Sequence, residues 1–233
     1  MHLKSLSIAL ATTALVALSL PAMAQDKTGS NVNTEATATP AGGAATMGLA
    51  QELYAMGLAS GDALTVLTAA KLAMSVEVKD GGEIKKTTTG DMPADDAEGA
   101  ADAPVDAMAM LAKAKELAAD DETLLGLIAD AEAEGARGRI GGAVSWLSRL
   151  PSGMQDVWEV PFYGNSYAEI AVVGDGDANL DVAVTDENGN VICYDVSYSD
   201  QLYCDFTPSW DGYFYVTVEN RGRSRNSYYL MTN

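Results

Sequence analysis

The distribution of aromatic residues constrains the fold of this chain more than any other feature. Of its 10 tyrosines, 3 phenylalanines and 3 tryptophans, only Tyr54 precedes Gly141-Gly142. Before this point apolar residues recur at helical spacing, and after it they alternate with smaller or polar residues, as in strands. The pattern predicts an α+β multidomain chain, in which a small α-helical part precedes an antiparallel β-sandwich or jelly roll.

The helical domain is predicted to cover residues 46–140 and to consist of two helix hairpins. Ser60-Gly61-Asp62 ends one helix and caps the next, and Asp120-Asp121 caps another. Gly135 and Gly138 end the last helix. The two hairpins resemble a tetratricopeptide-type pair. Residues 78–103 contain Gly, Pro and Asp with few large apolar groups, which predicts a long mobile loop.

The β-sandwich domain is predicted to cover residues 141–233. Two of its segments place large apolar residues at every second position: Leu180, Val182 and Val184 in one, and Phe214, Val216 and Val218 in the other. Asn188-Gly189 is a strong hairpin signal. About eight short strands fit between residues 143 and 232, the number of strands in a jelly roll.

The chain has two cysteines, Cys193 and Cys204. An even number in an exported chain favours a disulfide, and two free thiols are the alternative. Tyr198 and Ser199 lie midway between the cysteines in a polar turn. This spacing predicts that the cysteines face each other across a hairpin, near the distance that a disulfide requires.

Residues 1–24 are predicted to be a cleaved signal peptide. Lys4 gives a positive start, an uncharged run follows, and Ala22-Met23-Ala24 supplies a small-x-small cleavage pattern. The run is shorter than the roughly 20 apolar residues that span a bilayer, so we expect no membrane insertion after cleavage. Residues 25–45 are small and polar, which predicts a flexible leader. The mature chain is therefore expected to be periplasmic or secreted.

Charge and composition exclude several functions. Without the signal peptide, 13 basic residues stand against 33 acidic ones, a net charge of −20. Such a chain repels nucleic acid, because neutralising phosphates requires Lys and Arg. The only histidine is His2, inside the signal peptide. Histidine-dependent nucleophiles, general bases and metal sites are therefore excluded from the mature protein.

The C-terminal part resembles a known family through an ordered series of turn motifs. They are Phe162-Tyr163-Gly164, Gly174-Asp175-Gly176-Asp177, Leu180-Asp181-Val182, Asp186-Glu187-Asn188-Gly189-Asn190, Phe206-Thr207-Pro208, Trp210-Asp211-Gly212 and Asn220. The series is similar to the bacterial pre-peptidase C-terminal domain family, over residues 143 to 233. The resemblance implies a β-sandwich jelly roll that serves secreted enzymes as a non-catalytic accessory module. No peptidase domain precedes it in this sequence.

One acidic segment is a candidate calcium site. Asp175, Asp177, Asn179 and Asp181 are spaced by two, and calcium takes six to eight such oxygen ligands. The segment differs from an EF-hand loop, because Leu180 stands where that loop needs glycine. Some members of the resembled family bind calcium through acidic loops. The alternative is a turn whose side chains bond their own backbone.

Two further groups of residues are candidate contact sites. Tyr213, Tyr215 and Tyr228 are predicted to lie outward and to form a ligand platform, whereas Trp146, Trp158, Phe162, Phe206 and Phe214 are expected in the core. Arg221, Arg223 and Arg225 cluster before the last strand, where they could contact an anion or an acidic partner. The alternative for the arginines is a solvated loop that offsets nearby acids.

These observations favour a non-enzymatic exported adaptor that binds an envelope protein or a glycan. A structural or calcium-stabilised envelope protein is the alternative, and a carboxylate-based secreted hydrolase is a third hypothesis. A hydrolase needs two acids that converge across a substrate. Neighbouring pairs such as Asp95-Asp96 do not provide that arrangement, and no catalytic residue is predicted.

Overall fold

A computed structural model of the chain describes residues 27–37, 39–91, 101–135 and 142–233. Four helices lie in the N-terminal half: α1 (Gly43–Ser60), α2 (Ala63–Ser75), α3 (Ala107–Ala118) and α4 (Glu122–Glu134). Two strands interrupt them: β1 (Glu77–Asp80) and β2 (Lys85–Thr89). The C-terminal half contains eight strands: β3 (Gly142–Leu150), β4 (Gln155–Phe162), β5 (Ala168–Gly174), β6 (Leu180–Asp186), β7 (Val191–Asp195), β8 (Gln201–Phe206), β9 (Gly212–Asn220) and β10 (Asn226–Thr232).

The strands form two five-stranded sheets that pack face to face. Sheet A has the order β1-β3-β10-β5-β8, and sheet B has the order β2-β4-β9-β6-β7. All pairings are antiparallel except that of β1 with β3. Without β1 and β2, each sheet keeps four of the eight strands, and neighbouring strands are mostly distant in sequence, as in the two Greek keys of a jelly roll. The predicted α+β fold with a jelly-roll sandwich of eight C-terminal strands is confirmed.

The core of the sandwich follows the alternation in the sequence. In β6 the residues Leu180, Val182 and Val184 are buried, and each alternates with a partly exposed neighbour. β9 shows the same pattern at Phe214, and the Phe206 ring lies 4.6 Å from the Phe214 ring, centroid to centroid. Asn188-Gly189 lies in the turn that joins β6 to β7, with Gly189 at φ 81°. The predicted hairpin is therefore confirmed.

The helices form a layer on the outer face of sheet A. α1 packs there through small residues such as Ala44 and Ala50, which share a buried cluster with Ala171 and Val173 of β5. Glu169 of β5 lies under the start of α1 and accepts a hydrogen bond from the Gly42 N–H at 2.5 Å. A carboxylate in this position offsets the partial positive charge of the helix N-terminus. The described chain therefore has three layers, helices on sheet A and sheet A on sheet B.

The predicted helix boundaries are confirmed where the structure describes them. The Asp62 carboxylate accepts from the Leu64 N–H and caps α2, and the Asp121 carboxylate accepts from the Thr123 and Leu124 N–H groups to cap α4. Gly61 adopts the left-handed conformation after α1, with φ 65°. Gly135 follows the last residue of α4.

The prediction of a mobile loop over residues 78–103 is wrong for its first part. Residues Glu77–Asp80 pair with β3, and residues Lys85–Thr89 pair with β4. Each sheet of the sandwich thus gains one edge strand from the segment between the helix hairpins. The domain boundary predicted near Gly141 does not separate these strands from the sandwich.

The prediction of a flexible leader over residues 25–45 is wrong for its described part. Asn31 is fully buried, and its Oδ1 atom accepts from the backbone N–H groups of Ser209 and Trp210. Its own N–H donates to Asp186 Oδ2 at 2.8 Å. The segment before α1 is therefore tied to one end of the sandwich through buried hydrogen bonds.

The disulfide between Cys193 and Cys204 is present, but its predicted setting is wrong. Cys193 lies in β7 of sheet B, whereas Cys204 lies in β8 of sheet A, so the two strands do not form a hairpin. The Cα atoms are 6.3 Å apart. The bond joins the two sheets at one edge of the sandwich.

Some sequence predictions lie outside the described residues. They are the signal peptide over residues 1–24, the start of the leader at residues 25–26, the part of the mobile loop at residues 92–100 and the roles of Gly138 and Gly141. Within the described ranges, no helix is long and apolar enough to cross a membrane.

Candidate binding surface

The outer face of sheet B, here called the open face, is the candidate functional surface. The helical layer packs on the outer face of sheet A, where Tyr203 of the edge strand β8 remains 41% exposed, whereas the open face carries several exposed apolar and aromatic side chains. The open face is formed by the outward residues of β2, β4, β9, β6 and β7, among them Lys85, Glu159, Pro161, Thr185, Val191, Tyr194, Tyr213 and Tyr215. Exposed aromatic groups on a rigid sheet are well suited to contact a ligand or partner.

The structure separates the three tyrosines of the predicted ligand platform. Tyr213 and Tyr215 lie on the open face, and the Tyr213 side chain is 50% exposed. Tyr228 is fully buried in the sandwich core, so its assignment to an outward platform is wrong. β10 is a central strand with α1 on its outer side, and both of its faces are therefore buried.

Tyr228 belongs to a buried polar network between the sheets. Its hydroxyl donates to Asp156 Oδ2 at 2.7 Å and accepts from the Trp158 Nε1–H. Burial raises the pKa of Tyr228 well above its ordinary value, and the nearby Asp156 carboxylate adds to the rise. Asp156 also accepts from Ser148 Oγ at 2.6 Å and from Lys86 Nζ at 3.3 Å. The network attaches β2 to the sandwich.

A cleft of about 490 Å³ lies at one end of the open face, and we call it the tyrosine cleft. Tyr163 and Tyr213 line it, with exposed fractions of 77% and 50%. Pro161 is paired with Tyr213 across β4 and β9. The carboxylates of Glu187 and Asp211 also line the cleft. It combines apolar walls with a few polar groups, as small-ligand sites do.

Backbone and side-chain contacts hold the cleft carboxylates in place. Glu187 Oε1 accepts from the Trp210 Nε1–H at 2.6 Å, and Oε2 accepts from Asn31 Nδ2 at 3.3 Å. Asp211 Oδ1 accepts from the Gly164 N–H at 2.8 Å. A Cβ atom at Gly212 would lie 2.6 Å from Glu187 Oε1, so a glycine is needed here for the carboxylate to approach.

Asp186 supports the same end of the sandwich from the turn after β6. Although burial opposes its ionisation, hydrogen bonds from the Asn31 backbone and from Asn190 outweigh that effect and lower the pKa of Asp186. Its Oδ1 atom also accepts from the Asn188 N–H at 3.0 Å. The buried carboxylate thus fixes both the turn and the N-terminal segment beside the cleft.

Three of the four residues of the predicted calcium site have partners outside the set. Asp175 accepts from the Ser227 N–H, Asp177 from the Ala101 N–H, and Asp181 forms an ion pair with Arg221 at 3.3 Å. The fourth, Asn179, donates through Nδ2 to Asp181 Oδ1 at 3.5 Å. Burial raises the pKa of the Asp175 carboxyl, and nearby acids add to the rise. Among the described residues, no group of three or more His, Cys, Asp or Glu side chains is placed to hold a metal ion. Calcium binding stays a prediction, which a calorimetric titration tests.

The predicted anion site is a loop in which two of the three arginines contact acids. Arg221 contacts Asp181 and Glu219, and Arg225 contacts Asp102. Arg223 is exposed. These ion pairs are the arrangement expected of a solvated loop that offsets nearby acids, and anion binding by this loop stays a prediction.

Sequence reasoning missed most of the tyrosine cleft. Tyr163, Glu187 and Asp211 all lie within the turn motifs that carry the family resemblance, where they were interpreted as turn chemistry. The antiparallel pairing of Pro161 with Tyr213 brings these turns together. A single sequence contains no signal for that register, because the two strands are about 50 residues apart.

The strand order defines residues 142–233 as a jelly-roll β-sandwich. In a search of solved structures, the chain is similar to the pre-peptidase C-terminal domain of a collagenase from Bacillus anthracis, with 17% sequence identity and a TM-score of 0.33. The match covers 38% of this chain and 87% of that one. The pre-peptidase C-terminal domain is the family that the turn motifs of this sequence resemble. No family model and no curated protein matches the sequence. The tetratricopeptide-type resemblance of the helices stays a prediction.

Proposed function

We propose that this protein is an exported, non-enzymatic binding protein of the bacterial cell envelope, which contacts its partner through the open face. The observation that carries the proposal is the difference between the two outer faces of the sandwich. Helices pack on the outer face of sheet A, whereas Tyr194, Tyr213 and Val191 of sheet B are each at least 50% exposed. Met56, Leu64 and Met108 of the helical layer are as exposed, but they lie on three different helices, whereas the sheet B residues share one face. Exposed apolar groups on one face of a sheet suit contact with a partner.

The setting of the sandwich supports the proposal. The disulfide between the sheets fits an oxidising compartment outside the cytoplasm. The sandwich is of the kind that serves as an accessory module in the resembled family. In this chain its helical layer and N-terminal segment brace sheet A and one end, which leaves a rigid open face for contact.

The buried network brings Lys86 and Ser148 into contact without forming an accessible nucleophile. In enzymes with a serine-lysine pair, an unprotonated lysine accepts the serine proton, whereas here Lys86 Nζ donates to Ser148 Oγ at 2.7 Å. Ser148 is only 3% exposed, and its hydroxyl donates to Asp156. A substrate has no access to this oxygen, so we assign the pair to attachment of β2.

The proposal is tested by binding to envelope fragments from source cells. Fluorescently labelled mature protein is titrated onto the fragments, and the bound fraction is compared with that of the variant Tyr194→Ala/Tyr215→Ala. We expect saturable binding that the double variant weakens about tenfold or more, a loss of about 1.4 kcal/mol.

The matched control is Tyr198→Ala, which removes a fully exposed tyrosine from the loop between β7 and β8. It should bind as the unchanged protein does. Absence of saturable binding, or equal binding by the double variant, would contradict the assignment of the open face.

A further inference from the structure

We propose that the tyrosine cleft binds an uncharged pyranose unit of a polysaccharide. The inference rests on the proposed function, because the cleft is one end of the open face. It names the chemical class of the ligand, which the open face alone does not determine. The support comes from the aromatic walls of the cleft, the acceptors inside it and the charge around it.

Two exposed tyrosines form aromatic walls of the cleft. Pro161 is the cross-strand partner of Tyr213, and Tyr163 follows Pro161 by two residues, directly after the end of β4. A sugar ring makes van der Waals contact with an aromatic face at about 3.5–4 Å. The C–H groups of a pyranose, which are slightly positive, suit the negative face of each tyrosine.

The carboxylates in the cleft provide acceptors for sugar hydroxyl groups. Each Glu187 oxygen takes one hydrogen bond from the protein, from Trp210 or Asn31, and a carboxylate oxygen can accept two. The Lys27 Nζ–H donates to the Asp211 carbonyl at the same end of the cleft. A polyol can therefore form several hydrogen bonds here while its ring contacts the tyrosines.

The charge of the site and of the protein favours an uncharged sugar over an anionic one. The carboxylates of Glu187 and Asp211 and the ammonium group of Lys27 line the cleft, so its lining is negative by one charge, and the mature chain carries a net charge of −20. A uronic acid or a phosphorylated glycan would be repelled by this field. A neutral sugar meets no such repulsion, and its affinity should depend little on ionic strength.

The test is isothermal titration calorimetry of the mature protein, residues 25–233, with three neutral hexasaccharides and one anionic polymer. The neutral probes are the hexamers of β-1,4-glucose, α-1,4-glucose and N-acetylglucosamine, and the anionic probe is polygalacturonate. We expect at least one neutral hexamer to bind with the same Kd at about 50 and 500 mM salt. Tyr163→Ala and Tyr213→Ala should each weaken that binding about tenfold or more, and Tyr198→Ala should leave it unchanged.

Three results would overturn the proposal. They are a failure of all neutral hexamers to bind, binding that survives both tyrosine substitutions, and preferential binding of polygalacturonate. A decaproline peptide is titrated in parallel, because extended proline helices also bind aromatic clefts. Tyrosine-dependent binding of that peptide without sugar binding would replace the sugar assignment with a peptide one. Envelope binding that depends on Tyr194 and Tyr215 would still support the proposed function in each of these cases.

Discussion

Replacing Asp156 with alanine should lower the free energy of unfolding by about 3 kcal/mol, at the lower end of the range for breaking a buried charge pair. Asp156 is fully buried and accepts hydrogen bonds from Ser148, Tyr228, Lys86 and Thr88. The substitution leaves these donors without their acceptor. The lower end applies because the Lys86 side chain is 31% exposed and can regain water, whereas Tyr228 has no exposed surface.

The assay is equilibrium unfolding in urea, followed by tryptophan fluorescence, for the mature protein and the Asp156→Ala variant. Trp158 donates to Tyr228 within the network and contributes to this signal together with Trp146 and Trp210. A thermal melt should show a decrease of about 6–12 °C in Tm. The matched control is Asp102→Ala, which removes an acid that is 81% exposed and should change stability by less than about 0.5 kcal/mol. A loss below about 1 kcal/mol for Asp156→Ala would refute the reasoning, because it is less than one unsatisfied buried donor costs.

Three further predictions concern the ends and edges of the sandwich. The Cys193→Ala/Cys204→Ala variant should lose about 2.8 kcal/mol of unfolding free energy in urea, which is the loop-closure contribution for a sequence separation of 11. An unchanged unfolding midpoint would contradict the role of the disulfide in joining the sheets. The pKa of Asp186 is lowered in the folded state, so the contribution of this carboxylate to stability is present above about pH 4 and is lost as the pH falls further. Asp186→Asn should therefore reduce the pH dependence of the free energy of unfolding between about pH 5 and 2. An unaltered pH profile would exclude this role. Gly212→Ala should weaken ligand binding in the cleft and destabilise the protein by about 1–3 kcal/mol, because the new Cβ atom displaces Glu187 or Asn31. Binding is measured by calorimetry and stability by urea unfolding. If both are unchanged, the close approach of Gly212 to Glu187 and Asn31 is contradicted.

The parts of the fold that were predictable from the sequence are those that depend on local pattern. Alternation at Leu180, Val182 and Val184 located β6, since one side of that strand faces the core and the other faces solvent. Asn188-Gly189 located the hairpin through its preference for a positive φ. Asp62 located a helix start, because its side chain caps the backbone of its own helix.

The parts that were missed depend on contacts between distant residues. β2 has the sequence KKTTT and is exposed along its whole length, so it shows no alternation. Its pairing with β4 and the contacts of Lys86 and Thr88 with Asp156 specify it. Asn31 is likewise held by backbone groups about 180 residues away. A single sequence does not reveal such partners.

The candidate site was predicted in part for the same reason. Alternation along β9 correctly placed Tyr213 and Tyr215 outward, because one face of that strand is open. It failed for Tyr228, since α1 covers the outer side of β10 and both faces of the strand are apolar. The distance along the chain correctly suggested that Cys193 and Cys204 could meet. It did not reveal that the chain passes from one sheet to the other between them.

Site-specific photo-crosslinking in intact source cells tests the central claim most directly. A photoreactive residue is placed at Thr185, in the middle of the open face, and in a second variant at Asp130 on the exposed side of α4. The account predicts a covalent adduct with an envelope component from position 185 and none from position 130. Adducts from position 130 alone, or no adduct from position 185, would contradict the assignment of the open face as the binding surface.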